Sequence, residues 1–139
     1  MAAKLRNTLT TTEHQEQAAF IRAVKWCSSQ WPDLKNVFAI PNAGKRSFGA
    51  ANYYKAEGLE SGVPDVFVAI PTENYHGLFI EFKRRGGNIS SAQLSWLRRL
   101  GDMKYHVAVC FSGNEALIVV ARYLDRMEII TKIIEKEEP

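Results

Sequence analysis

The chain reads as an α/β domain built on one mixed sheet, and three observations carry that reading. Short runs of β-branched and aromatic residues recur as strands at Asn36–Ile40, Asp65–Ile70, Leu78–Lys83 and Tyr105–Phe111. Stretches with apolar residues at helical spacing precede, separate and follow them. The resulting order, α-β-α-β-β-α-β-α, places helices against a single sheet in an α/β/α or α+β layering. With 139 residues the chain is one domain by length, large enough for a real core.

Residues 1–12 are polar and Thr-rich and read as a flexible arm. Thr12 is a plausible N-cap with Glu16 about one turn later, and Phe20, Ile21, Val24 and Cys27 recur at helical spacing up to about Gln30. Pro32-Asp33 ends that helix. The strand Asn36–Ile40 closes on Pro41-Asn42-Ala43-Gly44, and Lys45, Arg46 and Ser47 follow in a loop. That loop is either a solvated turn or a phosphate contact, for which Asn42, two cations, a hydroxyl and the open backbone around Gly44 are suitable donors. Ser47–Glu57 reads as a helix stopped by Gly58. After the central strand pair, Arg84-Arg85-Gly86-Gly87 ends the strand, and Ser90 or Ser91 caps a helix over Ala92–Asp102. That helix turns Leu94, Leu97 and Leu100 inward and carries Gln93 in its first turn. Tyr105–Phe111 reads as a buried strand. Gly113-Asn114 opens a helix to Leu124, and 125–139 form an amphipathic tail with Ile129, Ile130, Ile133 and Ile134 on one face. Those four either pack back onto the domain or make an exposed patch that pairs two copies.

The composition narrows the classes. Hydrophobic residues at 46% and charged ones at 24% argue against disorder. No apolar run approaches the roughly 18 residues of a membrane span. Met1–Arg6 has no apolar stretch behind it, so neither an anchor nor a signal peptide is expected and the cytoplasm is the expected compartment. Cys27 and Cys110 lack metal spacing and read as two buried, reduced thiols. Residues 1–124 hold 15 Lys and Arg against 10 Asp and Glu, while the last 15 residues hold 3 against 5. A positive body suits a polyanionic partner.

The most informative stretch runs from Gly62 to Lys83. Side chains alternate along a strand, so Glu81 and Lys83 share a face and Phe82 points the other way, toward a core. If Asp65–Ile70 pairs antiparallel with Leu78–Lys83 about a turn near Asn74, Asp65 stands across from Lys83 with Glu81 on the diagonal. Two carboxylates converging there can hold a hard cation, Mg²⁺ or Mn²⁺ rather than zinc. Glu81 sits among Phe79, Ile80 and Phe82, where an unpaired carboxylate would be costly. Blandly, Asp65 is turn chemistry beside a proline and Lys83 an edge-strand charge.

Pro64-Asp65 followed by Glu81-Phe82-Lys83 resembles the PD-(D/E)XK signature of restriction-endonuclease-like nucleases. With Gly58–Asp65, Gly77–Lys83 and Ser90-Ser91-Ala92-Gln93, the stretch from Glu13 to Leu124 is similar to the VRR-NUC branch of that superfamily. The resemblance implies a restriction-endonuclease-like mixed sheet flanked by helices, over a domain at 13–124. It implies a Mg²⁺- or Mn²⁺-dependent DNA endonuclease with Asp65 and Glu81 as ligands, the Phe82 backbone carbonyl as a further one, and Lys83 beside the attacking water or scissile phosphate. Glu13 and Gln17 resemble the E-x-x-x-Q that opens VRR-NUC domains, which makes Glu13 a candidate catalytic and metal-binding acid; Glu16 is the alternative. Gln93 looks like the family's glutamine, able to orient water or Lys83. Asn42, Lys45, Arg46, Ser47, Arg84 and Arg85 are the expected nucleic-acid contacts. Compact relatives resemble junction-resolving enzymes, which implies a homodimer acting on branched DNA such as a Holliday junction. A nucleic-acid-binding protein on the same fold without cleavage is the competing reading.

Overall fold

The structure, a computed structural model, describes residues 11–41 and 48–138. Helix α1 spans Glu13–Cys27 and starts where Thr12 and Gln15 form a reciprocal capping box: Gln15 N–H donates to Thr12 Oγ1 at 3.1 Å, and Thr12 N–H to Gln15 Oε1 at 2.9 Å. The partner is thus Gln15 and not Glu16. The helix ends three residues earlier than its apolar pattern suggests. The Ser28 and Ser29 hydroxyls donate to the carbonyls of Lys25 and Trp26, in competition with a further helical turn. A short 3₁₀ helix, Pro32–Asn36, which periodicity does not announce, leads into the sheet.

The sheet has four short strands, β1 (Val37–Ala39), β2 (Val66–Val68), β3 (Leu78–Phe82) and β4 (His106–Cys110), in that spatial order. The first two pairings are antiparallel and β3–β4 is parallel, with helix α3 (Ser91–Asp102) as the crossover. Helix α2 (Phe48–Ala56) lies between β1 and β2 in the chain. This is the mixed α/β sheet expected from the order of elements. Strand β4, expected to be buried, is mostly half-buried with only Cys110 enclosed, because it is the outer strand and α3 and α4 cover it in part.

Val66, Val68, Leu78, Ile80 and Phe82 form one face of the sheet's centre and pack into a core with Phe20 and Val24 of α1 and Leu117 and Val120 of α4 (Gly113–Tyr123). Phe20 and Phe82 meet with ring centroids 5.7 Å apart. Both cysteines are buried free thiols, and burial pushes the Cys110 thiol up to about 11. On α3 the inward stripe is Gln93, Trp96, Leu97 and Leu100. Leu94, expected inside, is 40% exposed, because the Trp96 indole donates to the Ser61 carbonyl at 3.1 Å and sets the helix's rotation.

The tail is helix α5, Glu128–Glu137, and it packs against α1 and α4. Helix α4 closes in a Schellman turn: Arg126 N–H reaches the Ala121 carbonyl and Asp125 takes the left-handed φ of 52°. Both Arg126 nitrogens then hold Asp33 at 2.7 Å, and Lys132 and Lys136 lie over Trp26 at 4.9 and 4.5 Å. Ile129 is 1% exposed, Ile130 and Ile133 border the core, and only Ile134 stays in solvent, at 53%. The exposed four-isoleucine patch considered for pairing two copies is therefore absent.

Candidate active site

The central hairpin pairs Val66 with Ile80, Phe67 with Phe79 and Val68 with Leu78. Continued by one position, this register sets Asp65 opposite Glu81, not opposite Lys83 as expected. The shift is two residues, so every side chain keeps its expected face and alternation alone could not distinguish the two registers. The choice is steric. A Cβ on Gly77 would lie 2.7 Å from the Phe67 ring, and the absence of one lets that ring stack on Phe79 with centroids 4.4 Å apart. The result brings the two carboxylates closer than the diagonal arrangement would.

Asp65 is delivered by the Gly62-Val63-Pro64 turn. Gly62 adopts φ +87° and presses against the start of α3, where a Cβ would come within 2.8 Å of the Ala92 backbone carbon. Pro64 is buried behind it. The Asp65 carbonyl accepts from Ile40 N–H at 2.7 Å, and its Oδ2 accepts from Phe82 N–H at 2.7 Å. Glu81 is 3% exposed, the one buried charged side chain among the described residues, and its Oε1 accepts from Gln93 Nε2 at 2.9 Å. Gln93 is itself fixed: its Oε1 accepts Ser90 N–H at 2.9 Å while Ser90 Oγ caps Gln93 N–H at 3.2 Å. The helix cap thus locks the amide that locks the carboxylate. The partner of Gln93 is Glu81, and the Ser90-x-x-Gln93 spacing of a capping box is the signal that foreshadows it.

Lys83 follows on the face of Glu81, half-buried, with its N–H held by the Cys110 carbonyl at 2.9 Å. The Phe82 side chain is in the core, 1% exposed, leaving its backbone between the two charged residues. Glu13 reaches the end of β3 from α1, and its Oε1 accepts Arg84 N–H at 3.1 Å. Among the described residues no three His, Cys, Asp or Glu side chains gather to hold a metal ion. Glu16 is engaged elsewhere. It accepts Gly113 N–H at 2.8 Å and the Thr11 hydroxyl at 2.6 Å, and the amide at the head of α4 holds its carboxyl below the ordinary range.

Arg84 and Arg85 are exposed and border an open cleft of about 450 Å³ with Thr11, Glu16, Phe111 and Ser112. Arg85 lies 3.4 Å from Glu115 and over the Phe111 ring at 5.9 Å. Glu115, not singled out from the sequence, also accepts Phe111 N–H at 2.7 Å, and so ties the Arg85 segment to α4; Ser112-x-x-Glu115, a third capping-box spacing after those at Thr12 and Ser90, is its signal. The other expected contacts, Asn42, Lys45, Arg46 and Ser47, lie outside the described residues.

Oxygen donors on facing strands beside a lysine amine can bind a hard divalent cation next to an anionic substrate. No curated protein matches the chain significantly. A solved structure described as a VRR_NUC domain protein superposes with a TM-score of 0.67 at 22% sequence identity, covering 86% of this chain and 91% of that one, which shows a shared fold. The profile of the VRR-NUC domain matches residues 3–114, most of the chain. The protein belongs to the VRR-NUC domain family, a family of nuclease type.

Proposed function

We propose that the protein is a Mg²⁺- or Mn²⁺-dependent DNA endonuclease that prefers branched or junction DNA. The observation that carries this reading is the placement of Asp65 opposite a buried Glu81, with Lys83 two residues beyond on the same face. Gln93 and the Phe82 amide hold one oxygen of each acid in place, and two carboxylates fixed on facing strands present the hard oxygen donors a divalent cation takes. The donor set fits such an ion. Mg²⁺ is commonly held by one or two carboxylates with water and substrate phosphate completing its shell, so Asp65, Glu81 and the Phe82 carbonyl suffice without Glu13.

When bound, the ion supplies a water of lowered pKa and positive charge at the phosphate. Gln93 holds Glu81 in one rotamer, and the Phe82 amide does the same for Asp65. Lys83 provides a fixed positive charge where negative charge grows on the phosphate oxygens. Glu13 steadies the backbone after Lys83 through the Arg84 amide, a positioning role. Arg84, Arg85 and the cations at Lys45 and Arg46 contact flanking phosphates and carry no sequence preference.

The test is a set of labelled four-way junction, flap, single-stranded and duplex DNAs of one sequence, each with Mg²⁺, Mn²⁺ or a chelator. Nicking that requires the divalent ion and runs fastest on a branched form is the expected result. Tight binding with intact strands under every metal condition would make the protein a nucleic-acid-binding module instead.

A further inference from the structure

The face that carries Asp65 and Glu81 carries a second row two residues away. Phe38 of β1 pairs with Phe67 of β2, and Phe67 with Phe79 of β3, so three aromatic side chains stand in register across three strands. Phe67 stacks on Phe79 at 4.4 Å, Phe38 meets Phe67 edge-on at 5.6 Å, and Tyr105 closes the row 5.2 Å from Phe79. Phe79 is 9% exposed but Phe38, at the outer end, is 49% exposed. Helix α3 packs over the β4 side of this face, while α1, α4 and α5 pack together behind the sheet. The row thus runs from a covered end to an open one.

We propose that Phe38 and the row behind it form a stacking platform for an unpaired nucleobase next to the scissile phosphate. This rests on the nuclease reading above and narrows its substrate class to DNA with unpaired bases at the cut. Two residues along a strand span about 6.8 Å and neighbouring strands lie about 4.8 Å apart, so Phe38, opposite Phe67 on the next strand, is within a nucleotide's reach of Asp65. A strand whose phosphate lies at Asp65 and Glu81 therefore brings a neighbouring base over the aromatic row. In a paired duplex the π-faces are covered by adjacent pairs, and only an unpaired or splayed base can present one. Stacking on an aromatic ring is tolerant of sequence, which suits a nuclease guided by structure.

The experiment measures binding without divalent ion by fluorescence anisotropy, using a fluorescein-labelled duplex with splayed unpaired arms and its fully paired counterpart. Phe38→Leu keeps an apolar side chain of similar size and removes the ring. It should weaken binding to the splayed DNA by about five-fold or more and change binding to the paired DNA less than about two-fold. Phe38→Trp should match or exceed the native protein on the splayed form. A 2-aminopurine placed in the unpaired arm should be quenched by the native protein and not by Phe38→Leu. Equal losses on both DNAs, or no loss for Phe38→Leu, would overturn the platform. So would a native dimer that becomes a monomer on Phe38→Leu, since the ring would then serve a second copy. Because binding is read without metal, a protein that fails to cleave yet shows the Phe38-dependent preference sinks the nuclease reading and keeps the platform, whereas cleavage indifferent to Phe38 does the reverse.

Discussion

The two faces of the central hairpin share the same backbone and do opposite things. Val66, Val68, Leu78, Ile80 and Phe82 point to the side closed by α1, α4 and α5 and are all buried. Asp65, Phe67, Phe79, Glu81 and Lys83 point to the other side, where α3 covers only the β4 end and a charged and aromatic surface results. The packed face supplies most of the buried apolar side chains of the hairpin. The second face can then carry a buried carboxylate and a half-buried lysine, groups that weaken a fold on their own account. Stability and chemistry are separated by one residue of alternation.

The largest expected difference comes from the charged face. Asp65→Ala and Glu81→Ala should each lower cleavage by on the order of a thousand-fold or more while leaving the unfolding midpoint and DNA affinity near native. Single-turnover cleavage alongside thermal melts reads both. If either variant kept near-native turnover, the division between faces would not hold. The opposite pattern is expected from the packed face: Phe20→Ala should cost about 3–5 kcal/mol in a urea titration, and any activity lost should follow the folded fraction. Gln93→Ala falls between the two, because the amide touches Glu81 rather than substrate. A loss of roughly 10–100-fold in activity or metal affinity is expected, with Gln93→Glu no better, since it places a second carboxylate against the first. Calorimetric titration with Mn²⁺ would separate weakened metal binding from a slower step.

The smallest effect sharpens what anchors the packed side. The Arg126 guanidinium beside Asp33 holds that carboxyl below its ordinary 3.8, and the Gly113 amide holds Glu16 below its ordinary 4.5. Both folded values lie under the unfolded ones, so the stabilisation is complete above about pH 5 and is lost as acid protonates each group. Asp33→Asn should cost about 1 kcal/mol at pH 7, modest because both partners are a third exposed. The gap between its urea midpoint and the native one should narrow steadily as pH falls below about 4. A gap that does not change with pH would mean the ion pair contributes nothing.

Much of this was legible in the chain. Alternation placed Glu81 and Lys83 on one face and Phe82 on the other, the Gly-Val-Pro-Asp turn marked the start of β2, and α1, α3 and α4 begin where Thr12, Ser90 and Gly113 suggested. The features the structure corrects depend on distant partners. Leu94 has the same spacing from Leu97 as an inward residue would, but the bond from Trp96 to Ser61 turns α3 away. The isoleucines of 129–134 form the expected stripe, yet whether that stripe meets the domain or solvent was decided by the Asp125 turn and the Asp33–Arg126 pair.

By itself the sequence determined which way side chains point and which segments can be helix or strand, because both follow from periodicity and capping within a few residues. Tertiary structure decided the register of β2 on β3, the partner of Gln93 and the return of α5. Each is a fit between segments far apart in the chain. The Phe67 ring resting where Gly77 lacks a Cβ selects one register over another that buries the same residues, and with it sets Asp65 opposite Glu81. Periodicity is identical in the two registers, so only contact between the folded pieces could choose.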